Sequence, residues 1–331
     1  MTAQTFEWRN KSVLVTGGTG SFGRKFIEAL LKRQPRKVVI FSRDELKQHE
    51  MRQQFSDEGD SVVRYFIGDV RDGERLRRAF DGIDVVVHAA ALKQVPACEY
   101  NPLEAIKTNI DGARHIVDAA IDAKVERVMA LSTDKAVSPV NLYGATKLVA
   151  EKLFVQANAY AGGHGPIFSC VRYGNVVGSR GSVVPLFRQQ RDTGTVTLTD
   201  ERMTRFWITL DQGVDFVLTC TQEMAGGEVF VPKIPSMRMV DLARVLAPGC
   251  KVAVTGIRPG EKLHEVLVSE DEARSARDVE GKYVIEPLHP WWTNPRWSHG
   301  TRPADGFRYA SDNNPEWLTD DQLRDMIGEP K

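Results

Sequence analysis

Short runs of β-branched and aliphatic residues alternate with longer stretches of helical periodicity through the first half of the chain. That is the pattern of a parallel sheet covered by crossover helices. It predicts strands at Val13 to Thr16, Lys37 to Phe41, Val62 to Ile67, Val85 to His88, Arg127 to Ser132 and Ile167 to Arg172. Between them it predicts helices at Phe22 to Lys32, Glu45 to Phe55, Arg75 to Phe80, Leu103 to Ala123 and Leu142 to Ala161. The expected fold class is α/β, a doubly wound parallel sheet of Rossmann type. After about residue 173 the alternation fails and Gly, Pro and Trp become frequent, as in PLHPWWTNPRW at 287–297. Helical pieces are expected there at Asp211 to Gln222, Met239 to Ala247 and Leu318 to Ile327, with no strong periodic sheet signal. The expected division is therefore residues 1–172 as a dinucleotide-binding domain, to which later segments return, and 173–331 as mainly a smaller substrate-binding domain.

Composition narrows the function classes. The 331 residues are 42% hydrophobic and carry 44 Lys and Arg against 44 Asp and Glu. A net charge of zero gives no global reason to bind nucleic acid or an anionic membrane, so any anion must be bound locally. The four cysteines, Cys98, Cys170, Cys220 and Cys250, form no CxxC pair, which argues for a reducing compartment and small core fillers. The first residues are too polar for a signal peptide, and no apolar run reaches the length of a membrane span. A cytoplasmic protein is expected. His88 and His264 have no metal-ligand spacing with another histidine, and no metal is expected. Trp291, Trp292 and Trp297 lack a basic groove and are expected to pack the tail against the second domain.

Directly after the first strand runs Thr16-Gly-Gly-Thr-Gly-Ser-Phe-Gly23. It satisfies GxGxxG through Gly18, Gly20 and Gly23, and GxxGxxG through Gly17, Gly20 and Gly23. Such glycines allow a tight turn and close backbone approach to a pyrophosphate, whose charge free N–H groups and the helix dipole stabilise. Gly17, Gly20, Ser21, Phe22 and Gly23 are the expected cofactor contacts, against the alternative of a purely structural turn. At the tip of the second strand stands Ser42 rather than the acid that would select NAD. Arg43 and Lys47 are placed to clamp a 2′-phosphate, which favours NADP, while Asp44 keeps NAD open. The competing reading is a solvated helix start whose Asp44 and Glu45 suit the dipole. Asp69 and Val70 resemble the adenine-contacting pair of this cofactor fold, and Ala89 follows the fourth strand.

After the fifth strand the chain reads Ser132-Thr-Asp-Lys-Ala-Val-Ser-Pro-Val-Asn-Leu-Tyr143-Gly-Ala-Thr-Lys147. Tyr143 and Lys147, four apart on a helix, project from one face. A tyrosine at its reference pKa is only about one part in a thousand phenolate at pH 7, so it needs a shift of roughly three units, about 4 kcal/mol. A nearby ammonium and an oxidised nicotinamide each favour phenolate, which would take a sugar hydroxyl's proton as hydride leaves the same carbon. Together with the glycine loop and the Ser-Thr pair, YxxxK resembles the extended short-chain dehydrogenase/reductase superfamily over nearly the whole chain. Thr133 matches its hydroxyl residue, Asn109 a polar position it uses near the tyrosine, and Tyr143 and Lys147 also serve there as cofactor contacts.

Asp134 and Lys135 add an acid and an amine that a simple epimerase does not need, and so imply a further proton transfer. Dehydration is such a step: once carbon 4 is a ketone the carbon 5 proton is acidic, the carbon 6 hydroxyl is eliminated, and the stored hydride returns to carbon 6. STDKAVSPVNLYGATK, with HAAALKQVPACEYNP, RYGNVVGSRGSVVP, MTRFWI and RPGEKLHEVL, resembles the inverting UDP-N-acetylglucosamine 4,6-dehydratases. Retaining sugar-nucleotide dehydratases carry Asp-Glu at this dipeptide, and some relatives replace the tyrosine by methionine, which this chain does not. The resemblance implies an NADP-dependent lyase of a UDP-sugar giving a 4-keto-6-deoxy-L-arabino product, first toward pseudaminic acid-type sugars, and a homo-oligomer. It also implies that Asp134 is the acid for the departing hydroxyl and Lys135 the carbon 5 base, its pKa lowered by burial and by Lys147. Lys93, Asn175, Arg205, Arg258 and Glu261 match the substrate-facing loops, arginine suiting a diphosphate. A UDP-sugar 4-epimerase and a non-catalytic NADP-sensing protein on the same fold remain the alternatives, and a loop ion pair is the plain alternative for Asp134 and Lys135.

Overall fold

Six strands of the first half form one parallel array: β1 (Ser12–Thr16), β2 (Lys37–Ser42), β3 (Val63–Ile67), β4 (Val85–His88), β5 (Arg127–Leu131) and β6 (Ile167–Val171). Their spatial order is β6-β5-β4-β1-β2-β3, the doubly wound arrangement expected from the sequence. The computed structural model describes residues 6–163, 165–177, 183–289, 292 and 295–328. β1 is buried at every position, as a strand covered on both faces must be. The covering helices are α1 (Ser21–Leu31), α2 (Glu45–Arg52), α3 (Gly73–Phe80), α4 (Val95–Tyr100), α5 (Pro102–Ile106), α6 (Gly112–Asp122) and α7 (Leu142–Tyr160).

The helix expected over Leu103 to Ala123 is one run with a π-helical segment at Lys107–Asp111. Asn109 sits in that segment, and its side chain is spent on neighbours: Oδ1 accepts from the Leu92 backbone N–H at 2.9 Å, and Nδ2 donates to Leu92 O at 2.9 Å and Thr146 Oγ1 at 3.0 Å. The irregular turn thus brings a polar side chain between the loop after β4 and the helix that carries Tyr143, a common use of π-turns.

Beyond residue 173 the structure has more strand than the periodicity shows. The strands are β7 (Asn175–Val176), β8 (Thr195–Leu198), β9 (Thr204–Ile208), β10 (Val229–Pro232), β11 (Ser236–Arg238), β12 (Lys251–Val254), β13 (Val266–Val268), β14 (Ala276–Val279), β15 (Lys282–Ile285) and β16 (Tyr309–Ala310). At two to five residues each they are too short for a period of two to stand out. β10 joins β6 in parallel, and β15 and β14 follow antiparallel, completing nine strands. The remaining helices are α8 (Val183–Arg191), α9 (Leu210–Glu223), α10 (Met239–Leu246), α11 (Glu270–Ala273) and α12 (Asp320–Ile327). Val184, Phe187, Trp207, Leu242, Leu246 and Leu323 belong to a second, smaller core separate from that of the sheet.

The tryptophan expectation changes. Trp297 is buried edge-on against Phe230 of β10, and Trp292 Nε1 donates to Gly226 O at 2.7 Å, so both pack on the large sheet rather than on the second core. Trp291 lies outside the described residues. Among the described residues no helix is long and apolar enough to cross a membrane.

Candidate active site

The carboxyl ends of β1, β4 and β5 open onto a cavity of about 1280 Å³. Common small-molecule sites run to about 1,000 Å³, so this one has room for a cofactor and a substrate together. All the residues singled out as cofactor, substrate or proton-transfer groups line it, from Gly17 and Ser42 at one end to Arg258 and Glu261 at the other.

The glycine loop has no room for side chains. Gly17 has φ +66°, and a Cβ there would lie 2.9 Å from the Ala90 backbone nitrogen. One on Gly23 would meet Gly18 Cα at 2.5 Å, so α1 packs directly on the loop. α2, α3 and α7 begin with Asp44, Asp72 and Asn141 capping their own first-turn N–H groups, but α1 begins at Gly20 with no side-chain cap. Ser21, Phe22 and Gly23 line the cavity, so the uncapped end of a helix dipole is turned toward it. This cradle fits the pyrophosphate of a dinucleotide.

At the tip of β2 both cations of the expected clamp line the cavity and both have acidic neighbours. Lys47 Nζ lies 2.5 Å from Asp44 Oδ2, and Asp44 Oδ1 accepts from the Lys47 backbone N–H at 3.0 Å. Those bonds hold the Asp44 carboxyl below its ordinary pKa. Arg43 is exposed and leans on Asp69 at 3.6 Å, while Arg71 forks onto the same Asp69 oxygen at 2.8 and 3.0 Å. The Lys47–Asp44 pair is partly exposed, a weak surface contact within the first turn of α2. Ser42 bonds Thr19 through their hydroxyls at 2.8 Å.

The reaction corner starts where β5 ends. Thr133 caps a 3₁₀ turn at Asp134–Ala136, and this turn sits on the first turn of α7 so closely that a Cβ on Gly144 would be 2.1 Å from Lys135 O. Only glycine permits that contact. Asn141 caps α7 by accepting from the Gly144 N–H at 2.8 Å and donates to Gly260 O at 2.8 Å, tying the Arg258–Glu261 loop to the same corner. Tyr143 and Lys147 are both buried. Lys147 Nζ donates to Leu131 O at 2.6 Å, and burial holds its pKa below the usual lysine value.

Asp134 is 1% exposed. Its Oδ1 accepts from Thr133 Oγ1 at 2.9 Å and from Lys135 Nζ at 3.1 Å, while the buried Oδ2 has no protein partner. Lys135 Nζ also lies 3.3 Å from Glu265 Oε1, which Arg205 Nε approaches to 3.7 Å. Here the expected lowering of the Lys135 pKa is overturned. Burial acts in that direction, but Asp134 and Glu265 outweigh it and the pKa is raised; the opposing cation is Arg205, and Lys147 is instead engaged with Leu131. Tyr143 is likewise pushed up, to about 12, by burial, with Lys135 and the Thr133 hydroxyl pulling it down.

Of the substrate candidates, Lys93 and Arg258 are exposed on the cavity rim and Asn175 lies half-buried in its wall. Glu261 Oε2 is buried without a protein partner. Arg205 differs from expectation: its Nη1 donates to Thr204 O at 2.7 Å and Leu263 O at 2.9 Å, so it braces the wall more than it offers a fork. Sequence reading passed over Glu265 and Lys262, whose Nζ donates to Val137 O at 2.5 Å, and over Gly144 and Asn141. Asn141 was legible as a cap three residues before Gly144. Glu265 had no local signal, because its partners lie in other elements.

Comparison with known proteins follows from this geometry. A family model described as polysaccharide biosynthesis protein matches residues 13–287. The chain belongs to that family. Over 330 residues it is 50% identical to a Campylobacter jejuni subsp. jejuni serotype O:23/36 (strain 81-176) protein named UDP-N-acetylglucosamine 4,6-dehydratase (inverting), covering 97% of this chain and 98% of that one. Over 286 residues it is 44% identical to a Rickettsia prowazekii (strain Madrid E) protein named UDP-glucose 4-epimerase, covering 83% of each. The X-ray structure of Pen from Bacillus thuringiensis superposes with a TM-score of 0.87 at 38% identity, covering 97% of this chain and 99% of that one. The expected enzyme class, an NADP-dependent lyase, is corrected here. The Campylobacter relative is named for dehydration, a lyase reaction, and that name carries the class as far as a dehydratase and no further toward NADP or NAD.

Proposed function

We propose that this protein is a UDP-N-acetylglucosamine 4,6-dehydratase that inverts carbon 5, giving a UDP-linked 2-acetamido-2,6-dideoxy-L-arabino-hex-4-ulose. The observation that carries the reading is the Asp134–Lys135 pair, packed against the Tyr143 helix with Asp134 buried, Lys135 half-buried and one carboxylate oxygen left unpartnered beside the cavity. Half the residues shared with a relative of that name, end to end, support the substrate.

A nicotinamide dinucleotide held by Gly17, Gly20 and the start of α1 would supply the hydride acceptor for carbon 4 that returns hydride to carbon 6. Tyr143 takes the proton of the carbon 4 hydroxyl. Burial works against its phenolate, and the Lys135 ammonium and Thr133 hydroxyl act for it. Moving one proton from Lys135 Nζ to Asp134 across 3.1 Å turns an ion pair into a neutral amine and a carboxylic acid. The amine then removes the carbon 5 proton, and the acid protonates the leaving carbon 6 hydroxyl as water. Lys93 and Arg258 on the rim are the cations left to meet the diphosphate, and Asn175 and Glu261 the groups left for sugar hydroxyls. Arg43, exposed near Asp69, is the position that decides between NAD and NADP, measured as the ratio of their dissociation constants before and after Arg43→Ala. A homo-oligomer would cover Tyr100 and Leu103, both strongly exposed. A cytoplasmic enzyme opening a route to pseudaminic acid-type sugars is the biological setting we propose.

Mass spectrometry after incubation with UDP-N-acetylglucosamine and either dinucleotide in heavy water tests this. Loss of one water with gain of solvent deuterium is expected. An unchanged mass with a carbon 4 epimer would establish the epimerase reading instead.

A further inference from the structure

Asp134 and Lys135 do not form an isolated pair. Glu265 comes from the segment leading into β13, is 2% exposed, and puts Oε1 3.3 Å from Lys135 Nζ. Its backbone N–H is anchored on Ser311 Oγ at 2.9 Å, and Ser311 in turn bonds Thr204 at 2.7 Å, so the carboxylate is held from β9 and from the segment after β16. Its Oε2 is buried with no protein partner. The groups facing Lys135 are Asp134 on its own turn, Tyr143 from α7, Arg205 from β9, and Glu265 and Lys262 from the chain before β13.

This arrangement has a consequence for the reaction. Once Asp134 accepts a proton to become the acid, it no longer offers Lys135 a negative charge. When the Lys135 amine then captures the carbon 5 proton, an ammonium forms at a half-buried position that a bound substrate would close further, and an ammonium left there without an anion is costly. We infer that Glu265 is the positioning residue that holds the Lys135 amine toward the cavity and serves as the counter-ion of its ammonium while Asp134 is protonated. Protons balance: one passes from Lys135 to Asp134 and leaves with the carbon 6 oxygen as water, one passes from carbon 5 to Lys135, carbon 5 takes a proton from solvent as hydride returns to carbon 6, Tyr143 gives up to solvent the proton it took from the carbon 4 hydroxyl, and Glu265 stays ionised throughout. The inference rests on the functional reading above, and deepens it by giving the Asp-Lys pair a third, distant member.

The test compares wild type, Glu265→Gln and Glu265→Asp with UDP-N-acetylglucosamine and the dinucleotide. It follows reduced nicotinamide for carbon 4 oxidation and deuterium uptake at carbon 5 for proton removal. Glu265→Gln should cut carbon 5 exchange by about a hundredfold, with carbon 4 oxidation and calorimetric UDP binding changed far less. Loss of one anion lowers the pKa of the ammonium, so the alkaline limb of the exchange-against-pH profile should move to lower pH by about one unit or more. Glu265→Asp keeps the charge and should keep the limb in place. The inference is overturned if Glu265→Gln exchanges carbon 5 within about twofold of wild type, or if oxidation and exchange fall by the same factor with both limbs unmoved. Should Glu265→Gln fail to fold, Glu265→Asp decides: its shorter reach should slow carbon 5 exchange alone with the alkaline limb in place, and unchanged exchange or an equal loss of both steps overturns the inference. If wild type itself removes no water, the functional reading has failed and the inference falls with it. Normal wild-type dehydration beside an indifferent Glu265→Gln sinks the inference alone.

Discussion

At the glycine-loop end of the cavity the groups offered to a ligand are backbone N–H donors. At the opposite end they are the side chains of Asp134, Lys135, Tyr143 and Glu265. The first end is made by one stretch, Thr16 to Gly23, whose shape follows from glycines that leave no space for a Cβ. The second is assembled from β5, α7, β9 and the approach to β13, and each charge in it is set by the others. The difference teaches that a backbone cradle takes its shape from one stretch packed on its neighbouring strands, whereas a proton-transfer corner needs its charges fixed from several directions.

The largest effect that would sharpen this comparison is expected at Arg172. It is fully buried, donates to Glu151 and Glu272 and to Leu267 O, and so joins the helix of Tyr143 to the segment that follows Glu265. Arg172→Ala leaves Glu151 buried beside only the Ser132 hydroxyl, and should cost about 3–5 kcal/mol in urea unfolding, with the reaction corner lost first. An unchanged unfolding midpoint would mean that the corner does not depend on this cluster. At the other end, Gly17→Ala forces a side chain into a left-handed backbone against Ala90, a strain of about 1–3 kcal/mol. Dinucleotide affinity should fall by a matching factor while UDP binding is kept, and undiminished cofactor binding would break the backbone account.

His88 lies at the seam, hydrogen-bonded to Thr16 of the loop strand at 2.8 Å. Burial first, and Lys147 second, lower its pKa from 6.5 to about 3. Below pH 6.5 the unfolded chain takes up a proton that the folded one refuses. Stability is therefore complete above that pH and is lost as pH falls toward 3, at up to about 1.4 kcal/mol per pH unit. Urea midpoints of wild type and His88→Gln should diverge in slope across that window; parallel slopes would show that the imidazole titrates freely. The smallest effect is expected for Asn141→Ala, about 1 kcal/mol from the lost cap, together with weaker substrate binding because the Arg258–Glu261 loop loses its tie. Calorimetry with UDP reads the second part.

Alternation and glycine spacing by themselves determined the parallel array, the loop at Thr16 to Gly23 and the placing of Tyr143 and Lys147 on one helix beside the cavity, because each is encoded within a few turns or a single strand–helix junction. Tertiary structure completed the charges of the reaction corner. Burial was expected to lower the Lys135 pKa; it is raised instead, first by Asp134 beside it and then by Glu265, remote in sequence, which the fold brings within 3.3 Å. At the tip of β2 the ion pair is local instead, Lys47 meeting the Asp44 carboxylate of its own helix cap. The short strands past residue 173 were invisible because their pairing partners, not their own periodicity, make them strands. Electrostatic energy depends on distance and burial, and neither is written in the order of residues until the chain has closed on itself.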